Sequence, residues 1–177
     1  MTRPAPPELL TPRLRLRLPR VADFETSRIL WQDPQVTRFI GGRPQTGEEV
    51  WGRLLRYIGH WQALGFGYWV VETIDDRHFV GEVGLADYRR ETEPSFAGTP
   101  EAGWVLSPDQ HGHGYATEAA AAALAWRDAN LPGRETVAII EPAHAVSLRI
   151  AQKLGFRSEG TVQYRGEPIT LLHRWSA

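Results

Sequence analysis

Ser107-Pro-Asp-Gln-His111-Gly112-His113-Gly114-Tyr115-Ala116-Thr117-Glu118-Ala119 is the stretch around which the rest of this chain is read. Just upstream, Glu101-Ala-Gly-Trp-Val-Leu106 has the length and composition of a strand. Just downstream, the alanine run at 119–123 specifies a helix. The order is strand, glycine turn, helix N-terminus. Such a turn presents backbone N–H groups at the positive end of a helix dipole, which suits a phosphate or pyrophosphate. Gly112 and Gly114 let the backbone approach an anion with no Cβ in the way. A plain turn is the alternative. The stretch lacks the third glycine of the dinucleotide fingerprint and the Gly-Lys-Ser/Thr of a P-loop.

The totals set bounds. At 177 residues the chain has the size of one domain, expected over residues 9–177 behind a flexible lead at 1–8. A formal net charge of −1 offers no global attraction to nucleic acid, and the absence of cysteine excludes disulfides, thiol catalysis and cysteine-built metal sites. No apolar run is long enough to span a membrane and no apolar signal segment opens the chain, so a soluble, cytoplasmic protein is expected. The seven tryptophans read mostly as core and rim side chains.

Outward from the central stretch, Arg13-Leu-Arg-Leu-Arg-Leu18 alternates charge and leucine, the pattern of a strand with one solvated face. Asp23 is expected to cap a helix running through Leu30 and Trp31, stopped by Asp33-Pro34. Thr46 and Glu49 fit a capping box, and Val50, Leu54, Tyr57, Ile58, Trp61 and Leu64 follow it at helical spacing. Tyr68-Trp-Val-Val71 begins a strand, Asp75-Asp-Arg77 turns it, and His78 to Leu85 returns antiparallel. Arg89 to Pro100 is a polar loop. Past the alanine-rich helix, Asn130-Leu-Pro-Gly133 is a stop and Thr136-Val-Ala-Ile-Ile140 an interior strand. A helix with Val146, Ile150 and Leu154 at fours follows, ended by Gly155, and two strands near 156–162 and 168–174 close the chain. The sum is a single α/β domain, a mixed sheet with helices on both faces.

Residues 101–119, with His144-Ala-Val-Ser147 and Lys153-Leu-Gly-Phe156 downstream, resemble the GNAT superfamily of acetyl-CoA-dependent N-acetyltransferases. The match is closest to the branch that acetylates ribosomal-protein N-termini (RimJ/RimL-type) and its small-molecule relatives. Thr11-Pro-Arg-Leu-Arg-Leu-Arg17 and Val80-Gly-Glu-Val-Gly-Leu85 extend it over nearly the whole chain. The resemblance implies a mixed sheet of about six or seven strands whose central pair splays apart, with acetyl-CoA as cosubstrate and no metal. The coenzyme's pyrophosphate would sit on His111, Gly112, His113, Gly114, Tyr115, Ala116 and Thr117. Its pantetheine would run beside Trp104, Val105 and Leu106, in the gap towards Val137-Ala-Ile139, and reach His144 and Ser147. Three positions depart from the family pattern: His111 stands where Gln or Arg is usual, His144 where Asn is common, and Ala151 where many members carry a tyrosine acid.

Acetyl transfer to an amine needs one proton removed from the ammonium and one supplied to the thiolate. Glu101 is the candidate for the first, as base or as binder of the ammonium, with Glu82 in reserve. Ser147 is the candidate for the second, or else it satisfies the first turn of its helix. Other readings stay open: a metallohydrolase built on His111, His113, His144 and His173, and a catalytically silent acyl-CoA-binding regulator. The acceptor site is expected from the 31–61 region and the 89–100 loop, with Trp31, Trp61, Tyr68 and Trp69 as its aromatics. A peptide N-terminus or small amine is favoured over an internal lysine, because an α-amino group at a pKa of about 7.7–8.0 loses its proton more easily than a lysine at about 10.4. The protein is expected to act as a monomer or homodimer, without nucleic acid or membrane.

Overall fold

The computed structural model describes residues 8–176; except for Glu8, the expected lead at 1–8 lies outside the described residues. Its strands are β1 (Leu9–Leu10), β2 (Leu14–Arg17), β3 (Tyr68–Thr73), β4 (Phe79–Ala86), β5 (Glu101–Leu106), β6 (Glu135–Ile140), β7 (Arg157–Tyr164) and β8 (Glu167–Trp175). They form one eight-stranded sheet in the order β1-β2-β3-β4-β5-β6-β8-β7. The strand beyond the expected count is the two-residue β1, too short to leave a pattern in sequence. Neighbours pair antiparallel except β5 and β6, which run parallel.

Helices α1 (Phe24–Gln32), α2 (Pro34–Thr37) and α3 (Gly47–Leu64) belong to one face, α4 (Tyr115–Asn130) and α5 (Ala145–Lys153) to the other. The alternation of the strands decides which side chain meets which layer. Trp69, Val71 and Val83 pack on Ala119, Ala120 and Ala123, all at or below 3% exposure, since a helix faced with alanine closes tightly on a sheet. Glu82 and Tyr68 point to the opposite face, towards α1 and α3. Helix α3 starts at the Thr46–Glu49 capping box, both reciprocal bonds being present, and stops at Gly65 with φ +79°.

Four local expectations need correction. Asp23 does not cap α1 with its side chain: its carboxylate binds the Arg17 guanidinium at 2.7 and 2.9 Å and the Arg20 N–H at 2.6 Å. Asp33-Pro34 does end α1, but Asp33 then caps a further short helix, α2, by accepting from Gln35 N–H at 2.7 Å. The arginines of β2 are not simply solvated, because Arg15 and Arg17 both pair with Glu72. In α5 the buried residues are Ser147 and Ala151, while Val146 is 55% exposed. Spacing at fours was right for a helix and one residue off for its buried face.

Candidate active site

After β5 the chain makes a 3₁₀ turn at Pro108–Gln110, and Gly112 and Gly114 then take φ of +81° and +79° before α4 begins. Positive φ at both is what only glycine adopts without strain. The backbone N–H groups of residues 112–117 donate to no acceptor among the described residues; the first helical bond in this segment is Glu118 N–H to Gly114 O. They are the free donors of a helix start, lengthened by the turn before it. Arg13 fixes the turn from behind. Its Nη1 donates to His113 O at 2.9 Å, its Nη2 lies 2.6 Å from Glu118, and its guanidinium covers the Tyr115 ring at 4.8 Å. Pulling one carbonyl back leaves the amides facing the other way, and no ring or carboxylate obstructs Gly112, where an added Cβ would meet nothing within 4 Å. The donor set fits a pyrophosphate. His111 contributes less than its position suggested: its N–H donates to Pro108 O and its ring Nε2 to Leu106 O at 3.1 Å.

Beyond the turn, β5 and β6 share a single rung, Glu101 with Val137, and then separate. Their facing edges therefore border a cleft of about 1110 Å³, lined on this side by Gly103, Trp104, Val105, Ile139, His144 and Ser147. Leu106, at 7% exposure, packs into the core beneath α4 and is not part of that lining. Ser147 is buried and lines the cleft. Its Oγ accepts from Trp104 Nε1 at 3.3 Å and lies 3.4 Å from His144 Nε2, and it makes no cap bond to its own helix. Since Oγ accepts from an indole N–H, its own proton is available to an acceptor, and His144 Nε2 is one within reach. His144 stacks on Phe39 at 4.4 Å, joining the α2–α3 connection to the start of α5. Burial pushes its imidazole below the ordinary histidine value, and the charge of nearby His111 adds to this. Ala151 is fully buried beside Phe156, so α5 brings no hydroxyl there.

The cleft's other half holds the carboxylates. Glu101, 5% exposed, accepts from Arg90 Nε at 2.6 Å and Nη2 at 2.8 Å, and Arg90 Nη1 donates to the Tyr164 hydroxyl at 2.7 Å. Arg90 comes from the 89–100 loop and was not singled out in the sequence. Glu82, the reserve, is closed over by α1: Ser27 Oγ donates to it at 2.5 Å and Trp31 Nε1 at 2.8 Å. Its burial raises the carboxyl above the usual range, against the pull of those two bonds. Tyr68 reaches the cleft across two glycines; a Cβ on Gly103 would collide with its hydroxyl. Its ring stacks on Tyr57 at 4.3 Å. Of the expected aromatics, Trp31 and Tyr68 line the cleft. Trp61 and Trp69 do not: with Trp126 they form an edge-to-face cluster in the core beneath α4.

The histidines do not converge. His113 stacks on Tyr115, His173 bonds Glu135 at 2.6 Å, and His111 and His144 are engaged as described. Among the described residues no group of three or more His, Asp or Glu side chains could hold a metal ion, and no helix is long and apolar enough to cross a membrane.

Residues 13–157 match the family model described as acetyltransferase (GNAT) domain. An uncharacterized protein of Bacillus subtilis, YkkB, is 28% identical over 174 residues, 96% of each chain. A putative GNAT-family acetyltransferase from Bordetella pertussis has 32% identity, covering 95% of this chain and 99% of its own, with a TM-score of 0.83. A more distant structure, spermidine N-acetyltransferase from Vibrio cholerae in complex with CoA and spermine, shares the fold at 16% identity and a TM-score of 0.72, with 93% of this chain and 96% of that one covered.

Proposed function

Since this chain belongs to the acetyltransferase (GNAT) domain family and is an acetyltransferase, we propose that it transfers acetyl from acetyl-CoA to the primary amine of a peptide N-terminus or small molecule. Attack is direct, within a ternary complex. The observation that carries this reading is the single rung between β5 and β6, which opens the β5 edge onto a cleft lined by Ser147 and Glu101, while the unpaired N–H groups of residues 112–117 follow β5 in the chain.

The thioester supplies an activated acyl carbon. The amine nitrogen forms the new C–N bond there while the C–S bond breaks; the ammonium gives up two protons in all, one released to water and one that balances the proton taken up by the sulfur. Gly112 to Thr117 hold the pyrophosphate, and Trp104 and Val105 border the pantetheine. Ser147 passes its proton to the departing thiolate and is restored by the second proton that the amine nitrogen loses. His144, uncharged at neutral pH, keeps the serine oriented without adding a competing cation. Glu101 receives the ammonium. Both its oxygens already accept from Arg90, so it holds and orients the amine, and the proton departs through water rather than to a carboxylate with all its lone pairs free.

The test compares peptides having a free N-terminus with the same peptides blocked there but carrying lysine, following thiol release and product mass together. Faster acetylation of the free N-termini is expected, and faster acetylation of the blocked lysine peptides would overturn the acceptor assignment.

A further inference from the structure

The α3 wall of the cleft carries two cations and no carboxylate. Arg53 and Arg56 sit one helical turn apart and both line it. The direct contacts of Arg53 are to neutral groups, with the charge of buried Glu82 acting on it from a distance: its guanidinium lies 3.6 Å over the Trp31 ring, Nε donates to Gln45 Oε1 at 3.2 Å, and Nη1 donates to the Tyr57 hydroxyl at 3.3 Å. Its Nη2 has no acceptor among the described residues. Arg56 lies over the Tyr88 ring at 5.1 Å. Neither forms an ion pair among the described residues, in contrast to Arg90, whose charge Glu101 balances in the same cleft. Asp87 also lines the cleft but is held by Arg89, and Glu82 is sealed behind Trp31. The remaining acids of the lining, Glu141 and Glu167, come from the opposite wall, β6 and β8 with their connections. That wall also carries Arg165, over the Tyr164 ring at 5.2 Å, so it is mixed in charge while the α3 wall is cationic. Arg53, partly buried with no carboxylate at ion-pair distance, is costly to keep unless a ligand supplies a counter-ion, and Arg56 stands exposed one turn along the same wall, open to the same ligand.

We propose that the acceptor carries an oxyanion, a carboxylate or a phosphate, close to its amine, and that Arg53 and Arg56 bind it while the ammonium lies towards Glu101. This rests on the acetyl-transfer reading and narrows its acceptor. Planar guanidiniums fork onto such groups with two parallel hydrogen bonds, and stacking on Trp31 and Tyr88 preorganises both for the task. A polyamine would bring only cations to this wall.

The experiment uses matched amines: a peptide with Asp or Asn second, and 2-aminoethyl phosphate against 2-aminoethanol. The phosphate and carboxylate arms separate the two sources of the oxyanion. For at least one pair the anionic member should have a kcat/KM about 10- to 100-fold higher, the range charge-assisted bonds supply. In Arg53→Gln/Arg56→Ala that preference should fall to near unity, with acetyl-CoA affinity by calorimetry unchanged; Arg53→Lys should keep part of it. If the double variant fails to fold, Arg56→Ala alone must reduce the preference by roughly threefold or more. A wild-type preference for the uncharged members, or one that survives these substitutions, overturns the inference. So does acetyl-CoA binding without turnover of any anionic member. Absence of acetyl-CoA binding would instead remove the acetyl-transfer reading itself, and this inference with it.

Discussion

The two parts of the proposed site are built by different means. The part proposed for the coenzyme is made of backbone: consecutive N–H groups at 112–117 and the separated edges of β5 and β6. The part proposed for the acceptor is made of side chains drawn from four places in the chain, with Trp31 on α1, Arg53, Arg56 and Tyr57 on α3, Arg90 on the loop after β4, and Tyr164 on β7. A backbone site needs contiguous residues and tolerates changes of side chain, as His111 shows by turning its ring back onto Leu106 O. A side-chain site can be reassembled by substitution. The first half should therefore respond to changes in backbone geometry and the second to changes in charge.

The largest effect is expected at Gly114. Valine there must either hold a φ near +79°, which costs a β-branched residue roughly 1–3 kcal/mol, or let the turn flip and take the amides away. Crowding is secondary, since an added Cβ would lie 3.6 Å from Arg13 Nη2. Gly114→Val should lower acetyl-CoA affinity by on the order of 100-fold or more, through the loss of several charge-assisted bonds, with an unchanged circular dichroism spectrum. Calorimetry checks this.

Next is Glu101→Gln, which leaves Arg90 without its counter-ion and the ammonium without its acceptor. The acceptor KM should rise about tenfold or more while acetyl-CoA affinity stays put. A loss of about 10²-fold in kcat, recovered at high pH, would show Glu101 to be the base. Ser147→Ala comes third, at a few-fold in kcat, because a thiolate is a tolerable leaving group near neutral pH and Trp104 merely loses one acceptor. An unchanged rate would retire Ser147 as the proton donor.

The smallest effect belongs to Glu82, which lies behind the acceptor half. Its folded-state carboxyl is raised by burial, so its contribution to stability is fully present below the unfolded pKa of about 4.3 and is lost as pH rises through the folded value. Glutamine can keep both bonds by turning its oxygen to Trp31 and its NH₂ to Ser27. The melting temperature of Glu82→Gln should thus gain on the wild type as pH rises from about 4.3 towards neutrality, measured by calorimetry across that window.

The same division explains what could be read from sequence. The β5 bounds, the glycine turn, the capping box at Thr46 and Glu49 and the β3–β4 hairpin are local signals, and the structure places them where the residues put them. The buried face of α5 was not legible. Ser147 and Ala151 are small enough for close packing, and nothing in the spacing of Val146 and Ile150 reveals that Val146 turns outward and Ile150 is only partly covered. Nor could sequence tell Trp31, which lines the cleft, from Trp61 and Trp69, which do not, since all three sit at helix or strand spacing. Arg90 and Glu101 are eleven positions apart across an irregular loop. Arg13 seemed one of three arginines on a strand face, and only the fold brings it to His113 and Tyr115.

The most direct measurement of the central claim is a titration of the isotopically labelled protein with CoA, followed by backbone amide resonances. The largest shifts should fall on residues 112–117, whose N–H groups gain an acceptor, with little change at Arg53 to Tyr57. Amides at 112–117 that do not move while the α3 wall does would contradict the account.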